Sequence, residues 1–354
     1  MIDLMWNFPL LPGQAAEWQQ YLRRAVEAMD FADPRQLRPS FRGADVPLRE
    51  RAAAWLRVEA ERTWFVDGGH HGALVAMLAA GLAGKTVAVE NISYTSALQQ
   101  MAMIGAKAVG CAYDSEGMIP AALREACERQ TVSAVFLMPT VHNPLGIVAG
   151  LERRKEIVAV AREFDLVIVE DDAYAFMAPD ARAPYVELAP ERTFFVRGLS
   201  KGYAPQTRTG FLVVPPKYVD VIEPIVRNTS TGTSLVHNAA AMELIEDGTY
   251  ARTLLAKNEE GAVRNELGRE ILGDAAQRGV TSAWHFWVTW SDARSATEIA
   301  QACWDRGVMV SGAAGFTAPG AEVPRALRVG MGGEVERGRI EAGLRIVADV
   351  LRSA

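Results

Sequence analysis

Gly198-Leu199-Ser200-Lys201-Gly202-Tyr203-Ala204-Pro205-Gln206-Thr207-Arg208-Thr209-Gly210 puts a lysine on a glycine-flanked turn, stiffens the loop with a proline and places Arg208 seven residues after Lys201. The apolar run Phe211 to Val214 follows directly. A lysine held in a turn beside a buried strand can keep its amine partly desolvated, which makes it a usable nucleophile. An exposed loop lysine with a surface arginine nearby reads the same stretch equally well, so the flanking sequence has to choose.

Outward from this turn, short apolar runs alternate with helical patterns. Val87–Val89, Ala134–Met138, Leu166–Val169 and Phe194–Val196 have the form of buried strands. Helices are expected at His71–Ala83, Ser96–Ile104, Pro120–Glu128 and Leu151–Glu163. Near-continuous apolar strands separated by helices predict a parallel sheet covered on both faces. Ahead of it, prolines 9, 12, 34 and 39 flank a helix over Glu17–Met29, with Leu22, Val26 and Met29 on one face, and read as an arm. A second helix is expected over Pro47–Arg62, with Leu48, Ala52, Trp55, Leu56 and Glu59 at helical spacing. Past residue 216 the alternation fades. A helix near Ser234 (His237–Glu246), a charged stretch Tyr250–Ile271, strands Trp284–Trp290 and Ala326–Val329, and a last helix Val335–Leu351 predict a smaller α+β domain.

Composition narrows the class. Of 354 residues, 49% are apolar and 23% charged, as in a globular enzyme rather than a disordered chain. A net charge of −6 without a basic block leaves no electrostatic footprint for nucleic acid. Cys111, Cys127 and Cys303 are scattered and odd in number, which suits a reducing cytosol better than a disulfide framework. The amino terminus lacks the basic flank and apolar core of a signal peptide, and no apolar run reaches the roughly 20 residues of a membrane span. A soluble, cytoplasmic chain is expected.

Ligands of parallel sheets bind at the carboxyl ends of the strands, so the residues after each run matter most. Tyr94 follows the first and could stack on a flat ring or simply pack. Asn143-Pro144-Leu145-Gly146 follows the second: a tight-turn sequence, or an amide aimed into a pocket, with a cis bond open at Asn143–Pro144. Asp171-Asp172-Ala173-Tyr174 follows the third. These acids could cap the next turn, or Asp171 could meet a cationic ring nitrogen in a charge-assisted contact of about 1.5–3 kcal/mol. Upstream, Gly68-Gly69-His70-His71 precedes a helix and leaves backbone N–H groups free for a phosphate, without the lysine of a nucleotide P-loop. His70 and His71 lack a third ligand at metal-site spacing, so no metal is expected.

The ordered set Gly69-His70-His71, Tyr94, Asn143-Pro144-Leu145-Gly146, Asp171-x-x-Tyr174, Ser200-Lys201 and Arg208 resembles the fold-type-I pyridoxal-phosphate aminotransferases of class I/II, of the aminoadipate type and of the aminotransferase-like domains of PLP-dependent regulators. The resemblance covers nearly the whole chain. It implies an α/β fold with a mostly parallel seven-stranded sheet, flanking helices and a smaller α+β domain. The implied divisions are an N-terminal arm joined to the small domain at 1–40, a large cofactor-binding domain at 41–233 and a small C-terminal domain at 234–354.

The resemblance further implies that Lys201 forms an aldimine with pyridoxal 5′-phosphate and that Asp171 keeps the ring nitrogen protonated. Asn143 and Tyr174 would bond the phenolic oxygen, and Tyr94 would stack on the ring. Gly69, His70, His71, Ser200 and Arg208 would hold the phosphate. Arg328, in Ala326-Leu327-Arg328-Val329-Gly330, would take the substrate carboxylate together with Asn143. The chain departs from the family at Gly198, Gln206, His70–His71, Phe41 (where a tyrosine from the neighbouring subunit is usual) and the bulky Trp284–Trp287. The implied activity is transamination between an amino acid and a 2-oxo acid, in amino acid metabolism or biosynthesis, by a homodimer with shared active sites. Other chemistry on the same cofactor (β-lyase, decarboxylase or cyclase) is the alternative. A non-catalytic PLP-binding sensor ranks behind, because the residues ahead of the alternating pattern carry no basic cluster.

Overall fold

The computed structural model of the chain describes residues 1–29, 46–180 and 183–353. Its central sheet has seven strands: β1 (Thr63–Val66), β2 (Thr86–Glu90), β3 (Lys107–Cys111), β4 (Ala134–Leu137), β5 (Val167–Asp171), β6 (Thr193–Gly198) and β7 (Gly210–Val213). They lie in the order β1-β7-β6-β5-β4-β2-β3. β7 runs antiparallel to β6 and β1, and the other neighbours are parallel. This is the mostly parallel α/β sheet expected. The interior strands are buried along nearly their whole length, which is why they read as continuous apolar runs. β3 sits at the sheet edge, half exposed and without such a run, so apolar patterning alone missed it.

Helices α1 (Gln14–Glu27), α2 (Val46–Leu56), α3 (Gly69–Ala79), α4 (Thr95–Met103), α5 (Pro120–Arg129) and α6 (Leu151–Glu163) fill much of the first half of the chain. Two expectations need correction. The buried face of α1 is Gln14, Trp18, Tyr21 and Ala25, with Leu22 partly buried against it and Val26 exposed, because the two large aromatic side chains, rather than the aliphatic ones, turn towards the core. The helix expected over Pro47–Arg62 stops at Leu56: Arg57 takes φ 59°, a short 3-10 turn at Ala60–Arg62 leads into β1, and Glu59 is exposed. Between the two halves lies a further helix, α7 (Val219–Ser230), closed by Thr231 at φ 59°. Phe41 lies outside the described residues.

The later part has α8 (Leu235–Glu246), α9 (Thr249–Leu272), α10 (Ala296–Asp305) and α11 (Arg337–Arg352). A second, antiparallel sheet joins β8 (His285–Thr289), β9 (Ser311–Gly312) and β10 (Ala326–Gly330) in the order β8-β10-β9. Its core contains Phe286, Val288, Leu327 and Val329 with Ile340 and Leu344 of α11. Leu4 belongs to the same core, and Ile2–Asp3 pairs in parallel with Val308–Met309, so the start of the chain is built into this second unit. From there the segment crosses to the large sheet. Trp18 and Tyr21 pack with Phe65, Phe211 and the α8 residues Ala240 and Leu244.

Between buried Tyr250 and Leu272 at its ends, the buried face of α9 is polar or small: Thr253, Lys257, Gly261, Arg264, Asn265 and Gly268. A Cβ on Gly261 would lie 2.3 Å from the Ser282 carbonyl oxygen, whereas one on Gly338 of α11 meets nothing within 4 Å. Alanine gains up to about 1 kcal/mol over glycine in a helix, but overpacking costs about 1–3 kcal/mol. Gly338→Ala is therefore expected to raise the thermal midpoint and Gly261→Ala to lower it, and calorimetry on the two variants checks the opposite signs.

Candidate active site

All strands of the large sheet except β7 point the same way, so their carboxyl ends share one edge and β7 begins there. Gly210 is paired with both Gly198 and Val66, which draws three strand ends together. Between them runs Gly68–Gly69, at the start of α3. A Cβ at Gly198 would lie 2.8 Å from the Gly69 nitrogen, and one at Gly210 2.8 Å from the Gly68 carbonyl carbon. Glycine at 198, a departure from the family pattern, is thus required by the close backbone approach. Gly68 offers no side-chain cap, so the first N–H groups of α3 have no partner inside the helix. Ser200 Oγ stands 3.7 Å from where a Cβ on Gly68 would be, and Arg208, at φ 48°, donates to the Asp67 carbonyl at 3.1 Å.

These elements enclose a cavity of about 140 Å³ whose lining includes Gly69, His70, Tyr94, Asp171, Tyr174, Ser200, Lys201 and Arg208. His71 lies outside that lining. Its Nδ1 accepts the Asp67 N–H at 3.0 Å, and its Nε2 meets Thr229 Oγ1 of α7 at 2.7 Å. His70 shares a hydrogen bond with the Tyr94 hydroxyl. Asn143 and Arg328 meet beside the cavity, where Arg328 Nη1 donates to Asn143 Oδ1 at 2.9 Å. The Asn143–Pro144 peptide is cis.

Lys201 stands in a helical turn, Leu199–Gly202, straight after β6. Its Nζ donates to the Asn7 carbonyl at 2.9 Å and lies 3.2 Å from the centre of the Phe8 ring. Burial, with the Arg328 charge adding to it and Asp171 opposing, brings the amine from 10.5 down to about 7. Burial also lifts Asp171 from 3.8 to about 6, although its Oδ1 accepts the Ala173 N–H at 3.0 Å. The neighbouring acid does a different job. Asp172 holds Arg197, with Nε to Oδ2 at 2.7 Å, rather than capping the following turn. Tyr174 is fully enclosed and its hydroxyl donates to the Asn7 carbonyl at 3.2 Å. Tyr94 is pushed up to about 12 by burial, so both phenols stay protonated at neutral pH.

Pattern reading missed several groups of this site. Asn7 and Phe8 were read only as part of an arm. His285 was noted only as part of a bulky turn, and it lies against the Tyr174 ring at 5.7 Å between ring centres. Lys257, on the polar face of α9, is fully buried and donates to the carbonyls of Lys201 and Tyr203, which fixes the lysine turn from behind. A sequence signal existed for Lys257. It falls in the series Tyr250, Thr253, Lys257, Gly261, Arg264 and Gly268, which repeats every three or four residues without an apolar stripe.

A strand-end lysine and a buried carboxylate thus line one cavity at the carboxyl edge of a seven-stranded, mostly parallel sheet. The family model "Aminotransferase class I and II" matches residues 2–345, and the chain belongs to that family. It is 21% identical over 287 residues to the uncharacterized HTH-type transcriptional regulator YdeF of Bacillus subtilis, covering 81% of this chain and 62% of that protein. An archaeal alanine:glyoxylate aminotransferase superposes with a TM-score of 0.88 at 22% identity, over 99% of this chain and 91% of the other. The α-aminoadipate aminotransferase LysN of Thermus thermophilus, solved with N-(5′-phosphopyridoxyl)-L-leucine, superposes at 0.86 with 21% identity, over 99% of this chain and 92% of the other. At these identities the superpositions speak for the fold. Among the described residues no helix is long and apolar enough to cross a membrane.

Two linkage signs follow. Over the window from about 7 to 10.5 the folded chain holds fewer protons on Lys201 than the unfolded one, so that contribution to stability grows with pH there and is lost as pH falls through that window towards 7. For Asp171 the contribution present below 3.8 is lost as pH rises through about 6. Pulse acylation mapped by mass spectrometry against pH is expected to give Lys201 a midpoint of about 7, against about 10.4 for surface lysines. Arg328→Met should move that midpoint up and Asp171→Asn should move it down. A wild-type midpoint in the surface range removes the desolvated-amine reading.

Proposed function

We propose that the chain is a pyridoxal-phosphate-dependent transaminase that moves an amino group from an amino acid to a 2-oxo acid, with Lys201 as the covalent anchor of the cofactor. The observation that carries this reading is the joint enclosure of a lysine amine near neutrality and a buried carboxylate, Asp171, in one cavity. Further observations fit the same group. Asn143 Nδ2 and Arg328 Nε are buried donors without a hydrogen-bond partner among the described residues, which suits an anionic ligand. The glycine seam leaves the start of α3 open to a phosphate.

In this reading Asp171 faces the ring nitrogen, where a cationic partner would recover the ionised carboxylate that burial disfavours. Asn143 and Tyr174 bond the phenolic oxygen and Tyr94 covers the ring. The backbone of Gly69, His70 and His71, with Ser200 and Arg208, holds the phosphate. Arg328, with Asn143 beside it, takes the substrate α-carboxylate through its guanidinium fork. When bound, the cofactor supplies an electron sink for charge developing at the amino acid Cα. Lys201, close to half-protonated at neutral pH, can both take a proton from that carbon and return one, which suits a general base. The Phe8 ring and the Asn7 carbonyl keep water away from its amine.

The same proposal covers a homodimer with shared active sites in which the end of α7 and the following turn face the partner, work in the cytoplasm in amino acid metabolism or biosynthesis, and the division into an arm at 1–40, a cofactor-binding part at 41–233 and a C-terminal part at 234–354. The chain spans 62% of the length of the first curated relative and 51% of the second, both named as regulators, and these matches favour one second reading, a PLP-binding sensor without turnover.

A panel of amino donors and oxo acids, followed at the cofactor absorbance, separates the readings. Conversion to the pyridoxamine form by a donor, and back by an oxo acid, is the expected result. Cofactor binding without conversion favours the sensor, and release of pyruvate with ammonia moves the chain to a lyase. Lys201→Ala is expected to lose the borohydride-reducible cofactor link and about 10²–10⁴-fold or more in rate. Asp171→Asn should retain cofactor yet turn over far more slowly, and unchanged turnover would remove Asp171 from the ring nitrogen. Arg328→Ala is expected to raise the amino acid KM about tenfold to a hundredfold, the worth of a charge-assisted contact; an unchanged KM moves the carboxylate site elsewhere.

A further inference from the structure

The start of the chain reaches the cavity through a continuous run of contacts. Residues 4–8 lie along the edge of β10 and the turn after it. The Gly330 N–H donates to the Leu4 carbonyl at 2.7 Å, and Arg328 Nη2 donates to the Met5 carbonyl at 2.5 Å. A Cβ on Gly332 would lie 2.7 Å from the Phe8 backbone, so the segment rests directly on main chain there. The last tie is made by side chains. Asn7, 2% exposed, places its Nδ2 at 2.9 Å from His285 Nδ1. His285, also 2% exposed, places its Nε2 at 3.3 Å from the His142 carbonyl.

These contacts leave one protonation pattern for the imidazole. A carbonyl only accepts, so Nε2 carries the hydrogen. Burial, with Arg328 adding to it, holds the ring well below its usual range, to about 3, so it is neutral and Nδ1 is an acceptor. The Asn7 amide therefore donates to it. An acceptor at this depth is not needed for packing, since a phenyl ring would fill the same space. Its effect falls on the other face of Asn7, whose carbonyl receives both the Lys201 amine at 2.9 Å and the Tyr174 hydroxyl at 3.2 Å.

We propose that His285 is a positioning residue: through the Asn7 side chain it holds the N-terminal segment so that the Asn7 carbonyl orients Lys201 and Tyr174. The ring belongs to β8 of the small sheet and Lys201 follows β6 of the large one, so residues 4–8 couple the two sheets at the reacting group. The use made of Lys201 rests on the transaminase reading; the coupling itself does not.

The test measures amide hydrogen exchange at residues 4–9 and the acylation rate of Lys201 in the full chain freed of cofactor, where the amine is available. Neither needs turnover, so failure here is distinct from failure of the transaminase reading. His285→Phe keeps the ring and removes both nitrogens. It is expected to raise both rates about fivefold or more, the population change that losing one buried hydrogen bond produces. Asn7→Ala should do the same, and the double variant should exceed neither single one, because both cut the same link. His285→Gln, which offers an acceptor and a donor, should restore both rates towards wild type. Wild-type rates in His285→Phe, or effects of the two substitutions that add in full, overturn the proposal. If His285→Phe does not fold, Asn7→Ala with wild-type exchange at residues 4–9 overturns it equally.

Discussion

Taking the Lys201 amine, the Asp171 carboxylate and the Arg328 guanidinium out of water in and beside one cavity between the two sheets is the constraint on which the rest of the structure depends. Isolated charges cost several kcal/mol each to bury, even after relaxation. The fold answers by sharing that cost. Lys201 and Asp171 each shift towards neutrality, while Arg328 is met by the Asn143 side chain and the Met5 carbonyl. The Lys201 amine rests on a carbonyl and an aromatic face rather than on a counter-charge. That arrangement leaves the amine near its titration midpoint at neutral pH, where a proton carrier works best.

The backbone carries the second part of the design. Three strand ends meet at Gly210, and the Gly68–Gly69 turn passes so close to Gly198 and Gly210 that no side chain fits at either position. The turn that bears Lys201 is then pinned from behind by Lys257, whose amine burial pushes well below its usual range. Gln14 of α1 reinforces the same turn by donating to the Tyr203 carbonyl at 3.0 Å. Lys201 is therefore placed by elements from the beginning, the middle and the later part of the chain.

Two sheets and one N-terminal segment meet at the cavity. The small sheet contributes Arg328 and His285 from adjacent strands, paired so that Trp287 lies opposite Arg328 and His285 opposite Gly330. The large sheet contributes Asp171, Tyr174 and Lys201 from its strand ends. Residues 4–8 span the gap with main-chain carbonyls, acceptors that any sequence provides, and the specificity of the contact lies in the side chains that meet them.

By itself the sequence determined the class of fold. Buried parallel strands must be continuously apolar and their crossover helices amphipathic, so strand–helix alternation was legible, and Lys201, Asp171 and Asn143 stood out at strand ends, while Arg328 came only with the family resemblance. It also carried the family in the ordered motif set. Apolar patterning passed over the edge strand β3 and the polar face of α9, because neither buries an apolar stripe, although the polar series along α9 repeats at helical spacing. Nor could it assign Asn7, Phe8, His285 and Lys257 to the site, which they reach across separations of up to 278 residues. Only the tertiary structure decided which amines and carboxylates lose water, because desolvation is set by everything packed around a group, and most of that comes from distant parts of the chain.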